Sequence, residues 1–300
     1  MPIPESQLET WSHQGAVTTS KQTHESIRNA LDSFNWADWV DFEPYLQGSY
    51  RNATNIRGDS DVDVVVQLNS SFRGDVSELS NNEQILYNQT YSDATYQWAN
   101  FRTDVIAALR DYYQPSAVDD TGDKALKVAG ESGRLPADVV VCLQYRKYKR
   151  FSGQDNQDYV EGISFYTLKE NRRVINFPKI HYNNGTKKHG RTSNRYKPTV
   201  RVFKNARTYL IEKGIISKDL APSYFLECLL YNVLDEKFTN NYQDTFCYVV
   251  NWLAESNLTN FMCQNEQLPI FGDTPEQWSI SNAQRLVQAF ISLWNNWYQI

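Results

Sequence analysis

The chain predicts an α/β (α+β) fold in which a sheet-bearing first half, residues 1–165, packs on a largely helical second half, residues 166–300. Three observations carry this expectation. Two β-branched runs, Val64–Val66 and Val139–Val141, each follow an aspartate and read as buried strands. The final third shows helical spacing, with Leu286, Phe290, Leu293 and Trp297 recurring every three or four residues. Hydrophobic residues make up 41% of the 300 and aromatics 14%, enough for one large core or two abutting domains.

Taken in order, Lys21–Phe34 predicts a helix, with Ile27, Ala30, Leu31 and Phe34 on the face that would pack behind the sheet. Phe42–Leu46 leads into a turn at Gly48-Ser49, where Gly48 lets backbone NH groups approach a phosphate closely and Ser49 can donate its hydroxyl. Ser60 reads as a turn residue before the strand opened by Asp61 and Asp63. From Asn81 to Asp111 the pattern is helical, with Trp98, Phe101, Val105, Ile106 and Leu109 as an apolar stripe. Beyond the Val139 strand come a basic turn, Arg146–Arg150, and a further strand at Gly162–Tyr166. Pro198 suits the first position of a helix running to about Lys213, with Val200, Phe203 and Leu210 inward. Its Arg201, Lys204 and Arg207 lie three apart on a more polar stripe and can equally be surface cations. Another helix starts at Pro222, with Phe225, Leu229 and Val233 inward. Ser223 falls in its first turn, where unpaired NH groups favour phosphate, although a capping hydroxyl reads the same way.

The chemistry lies in the aspartates. Residues two apart on a strand share a face, so Asp61 and Asp63 would stand side by side with Val62 pointing the other way. Two carboxylates about 4 Å apart repel by roughly 1 to 4 kcal/mol, and a cation between them removes the repulsion. Hard oxygen donors suit Mg²⁺, with Mn²⁺ as an alternative. Two ions about 3.5 to 4 Å apart can activate an attacking hydroxyl and stabilise departing pyrophosphate, given a third carboxylate. Asp138 supplies the candidate, since adjacent strands lie about 4.8 Å apart and Asp138 also opens an apolar strand. An isolated Asp-x-Asp is usually a solvated turn. Joined to a Gly-Ser turn, a strand and a second acid-plus-strand, it points to metal-dependent nucleotidyl transfer.

Net charge is −5, unevenly spread: between Arg146 and Lys213 stand 17 Lys and Arg against 5 Asp and Glu, so this segment carries +12 and the rest −17. A basic segment in an acidic chain fits a local anion site, such as one for a nucleoside triphosphate, better than general nucleic-acid affinity, though Lys187–Lys197 reads equally as a solvated loop. The four cysteines form no C-x-x-C pair and read as reduced thiols. No apolar run approaches eighteen residues, and the N-terminus lacks a signal-peptide pattern, which predicts a cytoplasmic protein with no membrane partner.

The sequence Gln47-Gly-Ser-Tyr, then Thr54, Ile56 and Ser60-Asp-Val-Asp63, with Asp138 on a later strand, resembles the polymerase-β-like nucleotidyltransferases, and among them the bacterial CD-NTases. The likeness extends from the helix before Gln47 to Ser223 and beyond. It implies a mixed-sheet nucleotidyltransferase core with an N-terminal packing helix and a C-terminal helical domain, with nucleotide between them. The implied reaction converts nucleoside triphosphates, purine and/or uridine, to a cyclic di- or trinucleotide for anti-phage (CBASS) signalling. It further implies a monomer with no stable nucleic-acid partner, whose product is read by a separate effector. Asp61, Asp63 and Asp138 match the positions holding two Mg²⁺, and Gln47, Gly48, Ser49, Lys204 and Ser223 those orienting the triphosphate. Asn183, or its neighbour Asn184, matches a base-lining position, although a turn at Asn184-Gly185 reads as well from the residues alone. A template-independent RNA or tRNA nucleotidyltransferase and a non-catalytic nucleotide sensor are the alternatives.

Overall fold

The computed structural model describes residues 2–15, 17–56 and 61–299. They form two compact units that interleave along the chain. The first, Val17–Tyr50 and Ser60–Pro178, holds the sheet; the second, Met1–Ala16, Arg51–Asp59 and Lys179–Ile300, is helical. The chain therefore does not divide at a single point such as residue 165. Two stretches from its first fifth pack with the helical unit.

The sheet unit contains seven strands: β1 Phe42–Leu46, β2 Val62–Asp75, β3 Val118–Asp119, β4 Leu126–Val128, β5 Ala137–Phe151, β6 Gln157–Tyr166 and β7 Arg173–Asn176. Their order is β1-β2-β5-β4-β3, with β6 paired to the far half of β5 and β7 paired to β6. β2 and β5 run parallel; the other pairings between these strands are antiparallel. The valine runs are buried on both faces, which explains why they lack polar alternation. Val62, Val64, Val66, Val139 and Val141 pack under α2 (Thr18–Asp32) and α5 (Trp98–Tyr113), against Ile27, Leu31, Phe101, Val105 and Leu109. Val65, Val140 and Cys142 face the other way, toward Ile163, Phe165 and Val174.

The helical stretch expected from Asn81 to Asp111 is two helices. α4 (Asn81–Thr90) begins at a capping box formed by Ser80 and Glu83, and α5 begins at a second one formed by Gln97 and Asn100. That second start interrupts the apolar stripe with polar residues that satisfy helix-end NH groups. The Gly48 segment is also more ordered than a turn, since it forms the short helix α3 (Gly48–Asn52).

In the helical unit, α1 (Glu5–Ser12) joins α6 (Pro178–Arg191), α7 (Tyr196–Glu212), α8 (Ser223–Tyr231), α9 (Tyr242–Glu255) and α10 (Ile280–Asn295). Glu5 accepts hydrogen bonds from the NH groups of Tyr242 and Gln243, so its charge meets the positive N-terminus of α9. Asn183 to Gly185 lie inside α6, in place of the alternative turn. A Cβ on Gly185 would come within 2.3 Å of the Gln264 amide, so close packing accounts for this glycine. Lys187–Lys197 is likewise mostly helical. α7 is buried around most of its girth, and Phe203 stacks on Phe246 with ring centroids 4.6 Å apart. Among the described residues no helix is long and apolar enough to cross a membrane.

Phe203 has no exposed surface and touches both Phe246 and Phe290. Phe203→Ala is expected to destabilise the helical unit by about 3 to 5 kcal/mol, read from the shift in its chemical denaturation curve.

Candidate active site

Parallel pairing sets Asp63 directly opposite Asp138, with Val62 opposite Ala137 and Val64 opposite Val139. Asp61 immediately precedes β2. By strand alternation Asp61 and Asp63 share the face of Val65, and Asp138 that of Val140, the face turned away from α2 and α5. On its other side Asp138 stands opposite Lys127 of β4. Partial burial pushes the Asp138 carboxyl above the usual range. The Lys127 charge pulls it down and that of Asp61 pushes it further up, leaving it raised.

The Gln47-Gly-Ser segment lies against these acids. The Gln47 NH donates to the Asp63 carbonyl at 3.0 Å. Gly48 has φ +66°, the left-handed region that a glycine adopts without penalty, and a Cβ there would stand 1.9 Å from Asp63 Oδ2. The Asp63 carboxylate thus occupies the space a side chain at 48 would fill. Ser49, half-buried, is the second residue of α3. Ser60 lies outside the described residues.

Among the described residues, no three His, Cys, Asp or Glu side chains are grouped to hold a metal ion. The donor set nevertheless fits a hard divalent cation. Its members are carboxylates on one face of two adjacent strands, one of them drawn against Gly48 and another raised mainly by partial burial.

The other predicted residues lie in the helical unit. Lys204 is buried, and its ammonium donates to the Thr54 carbonyl at 3.1 Å. Arg201 and Arg207 are also buried and donate to the carbonyls of Ser12 and Lys218, so the expected polar stripe of α7 is an inward row of cations bonded to backbone carbonyls. Ser223 is the first residue of α8 and half-buried; Asn183 is exposed on α6, whereas Asn184 is buried and donates to the Gln264 carbonyl. The structure therefore brings Gln47, Gly48, Asp61, Asp63 and Asp138 together in the sheet unit. Lys204, Ser223 and Asn183 belong to the helical one.

Several residues of the helical unit were not singled out from the sequence. Glu227, on α8 four residues after Ser223 and thus on the same side, is buried and accepts from Asn52 Nδ2 (3.0 Å) and Thr54 Oγ1 (2.9 Å), with His181 Nε2 at 3.2 Å. Burial raises its pKa, but His181, the Lys204 charge and the Thr54 hydroxyl outweigh burial and hold the carboxyl below its usual range. Arg51 lies over the Tyr182 ring at 4.0 Å, and Lys197 approaches the same ring at 5.3 Å. The Ser223/Glu227 spacing was the available signal. Nothing in the sequence tied it to residues 52 and 54.

Residues 183–295 match the cGAS/DncV-like nucleotidyltransferase C-terminal helical domain. Over its whole length the chain is 56% identical to a cyclic UMP-AMP synthase of Rhodothermus marinus, all of which it covers. The chain belongs to the CD-NTase family. It is accordingly a nucleotidyltransferase of the cyclic nucleotide synthase class. A second CD-NTase relative, cyclic nucleotide synthase CdnE01 of Staphylococcus haemolyticus, is 40% identical over 99% of this chain and all of its own. The solved structure of the Rhodothermus marinus CdnE c-UMP-AMP synthase with Apcpp and Upnpp superposes with a TM-score of 0.91 at 54% identity, over 100% of this chain and 99% of that one. A CdnE cyclic dinucleotide synthase of Elizabethkingia meningoseptica, solved with GTP and Apcpp, superposes with a TM-score of 0.77 at 30% identity, over 99% and 100% of the two chains. The mixed sheet and helical second unit are thus the fold of this CD-NTase family.

Asp138 titrates above its unfolded value, so its contribution to stability is complete below about pH 3.8 and is lost as pH rises through the folded value. At neutral pH the ionised acid therefore weakens the metal-free fold. Asp138→Asn should raise the metal-free melting temperature at pH 7 while lowering nucleotide turnover by about 10²-fold or more. Gly48→Ala should reduce turnover through a different route, displacement of the Asp63 carboxylate, and should also destabilise the fold by about 1 to 2 kcal/mol through its left-handed backbone. Steady-state kinetics alongside thermal melts separates the two.

Proposed function

We propose that this CD-NTase joins UTP and ATP into cyclic UMP–AMP, a signal in anti-phage defence, in the cytoplasm. Two nucleotidyl transfers are required. In each, a ribose hydroxyl of one nucleotide forms a bond to the α-phosphorus of the other triphosphate, the hydroxyl proton leaves, and pyrophosphate departs. The observation that carries the reading is the Asp63–Asp138 register, in a chain that aligns from end to end with a cyclic UMP-AMP synthase.

In this reading Asp61, Asp63 and Asp138 hold two Mg²⁺ ions. Bound there, the ions would assist ionisation of the hydroxyl and stabilise the charge on the departing pyrophosphate. The chain's own contribution is position and charge. Gln47 is tied by its NH to Asp63, and Gly48 leaves its backbone open to a phosphate at close range. Ser49 donates its hydroxyl to the triphosphate, and Ser223 does so at the positive N-terminus of α8. Lys204 neutralises phosphate charge, with its ammonium already oriented by Thr54. Asn183 borders the nucleobase from α6. Holding the two nucleotides in attacking geometry supplies much of the rate, since phosphoryl transfer asks little covalent chemistry of the protein.

Incubation with labelled ATP, GTP, CTP and UTP plus Mg²⁺, then phosphatase treatment and mass spectrometry, tests this directly. The expected product is phosphatase-resistant cyclic UMP–AMP, absent with Asp61→Asn or Asp63→Asn. A different cyclic product overturns the base assignment. Linear extension of added RNA, or nucleotide binding without turnover, overturns cyclisation.

A further inference from the structure

Residues Asn52 to Ile56 connect α3, which opens with Gly48 and Ser49, to the stretch that ends at Asp61 and Asp63. They belong to the helical unit, and Asn52, Thr54, Asn55 and Ile56 are all buried there. Ala53 has φ +56°, a left-handed conformation that is strained for an L residue. Its surroundings hold it there. Arg201 donates to the Ala53 carbonyl, Lys204 to the Thr54 carbonyl, and the Gly15 NH to the Asn55 carbonyl, while Gln14 donates to the Asn55 side chain. Glu227 takes the side chains on either side of the strained residue, Asn52 on one oxygen and Thr54 on the other.

A carboxylate this deep is expensive unless fully paired, and retaining one inside an apolar helix pair needs a reason. Around it lie Cys228, Leu229 and Leu230 of the same helix, each with no exposed surface. Glu227 is the anion that this cluster shares. Thr54 links it to Lys204, giving its hydroxyl to Glu227 and its carbonyl to the lysine ammonium.

We propose that Glu227 is a positioning residue for nucleotidyl transfer. It fixes the strained Asn52–Thr54 segment between the two halves of the catalytic motif, and through Thr54 it sets the place of the Lys204 ammonium. It touches no reacting atom. Strain held by over-determined contacts is a known way of pre-organising a site, and loss of a holding contact releases the segment. The inference rests on the nucleotidyl-transfer reading proposed above, though not on which bases are joined.

Glu227→Gln keeps size and shape and leaves an amide oxygen able to accept from Asn52 and His181, so it removes the charge and the oxygen that accepts from Thr54. Thr54→Val removes one link at nearly constant volume. Each single variant and the double variant are assayed for pyrophosphate release at saturating ATP, UTP and Mg²⁺, well below their melting temperatures. Each single variant should lower kcat by about 10- to 100-fold per folded enzyme, with KM for nucleotide changed less than about threefold. The double variant should be no slower than the slower single one, because both act through the same segment. Glu227→Asp, which restores charge at a shorter reach, should recover part of kcat. Multiplicative losses in the double variant, a normal kcat per folded molecule, or a loss confined to KM would overturn the proposal. Failure of the wild-type protein to release pyrophosphate would instead overturn the nucleotidyl-transfer reading. Release with a product other than cyclic UMP–AMP changes the base assignment and leaves this test readable, since it follows pyrophosphate alone.

Discussion

The parallel pairing of β2 with β5 is the constraint on which the candidate site depends. Parallel strands begin at the same end, so the acids that open them, Asp61 and Asp63 on one and Asp138 on the other, arrive at one edge of the sheet. Antiparallel pairing would have set the start of β2 beside the basic end of β5 near Lys147 and Lys149. Register matters as much as direction. A slip of one residue would turn Asp138 to the face occupied by α2 and α5, where it would meet Val105 and Leu109 in place of solvent. The burial of Val64, Val65 and Val66 on both sides of the sheet holds the register, and with it the acids.

The two units handle charge in opposite ways. In the helical unit every buried ion described around Glu227 has a partner: Lys204 has Thr54, Arg201 has Ser12 and Ala53, and Glu227 has three donors. Such an arrangement recovers much of the desolvation cost and fixes geometry. In the sheet unit the Asp138 carboxyl is raised mainly by partial burial, with Lys127 drawing it down by more than Asp61 adds. A carboxylate left incompletely compensated for its lost water is a place where an arriving cation gains binding energy. The same cost is what a stability-optimised sequence would remove.

Much of this was legible in the chain itself, and the unread part has physical reasons. Asp61, Asp63 and Asp138 could be found because each leads a β-branched run, and period-two alternation assigns their face. Phe203, Leu229 and Phe290 were readable as core from helical spacing. The break between α4 and α5 was hidden because apolar residues lie on both sides of it, and Gln97 with Asn100 is an uncommon capping pair. The Asn184-Gly185 pair resembles a turn, but the glycine answers to the crowding of Gln264, a residue 79 positions away. Arg201 and Arg207 looked like surface cations since a sequence lists the charge of a side chain and never the carbonyl that receives it. Glu227 was passed over for the same reason, its partners being about 46 and 175 residues distant.

Interleaving of the units gives a reason for the spacing inside the motif. Gly48-Ser49 and Asp61-Val-Asp63 both belong to the sheet unit, while residues 51–59 between them belong to the helical one. A tight turn could have joined α3 to β2 in fewer residues. The longer path lets Asn52, Thr54 and Asn55 take up hydrogen bonds with Glu227, Lys204 and Gln14, so the polar residues of this stretch answer to a structural demand made by the second unit. Thr54 and Ile56, which in the sequence are part of the wording that carries the family resemblance, are buried at 1% and 7% exposure and face protein. The motif is thus two things written in one stretch: acids and a glycine brought together on the sheet, and a buried connector whose side chains match what α7 and α8 present to it.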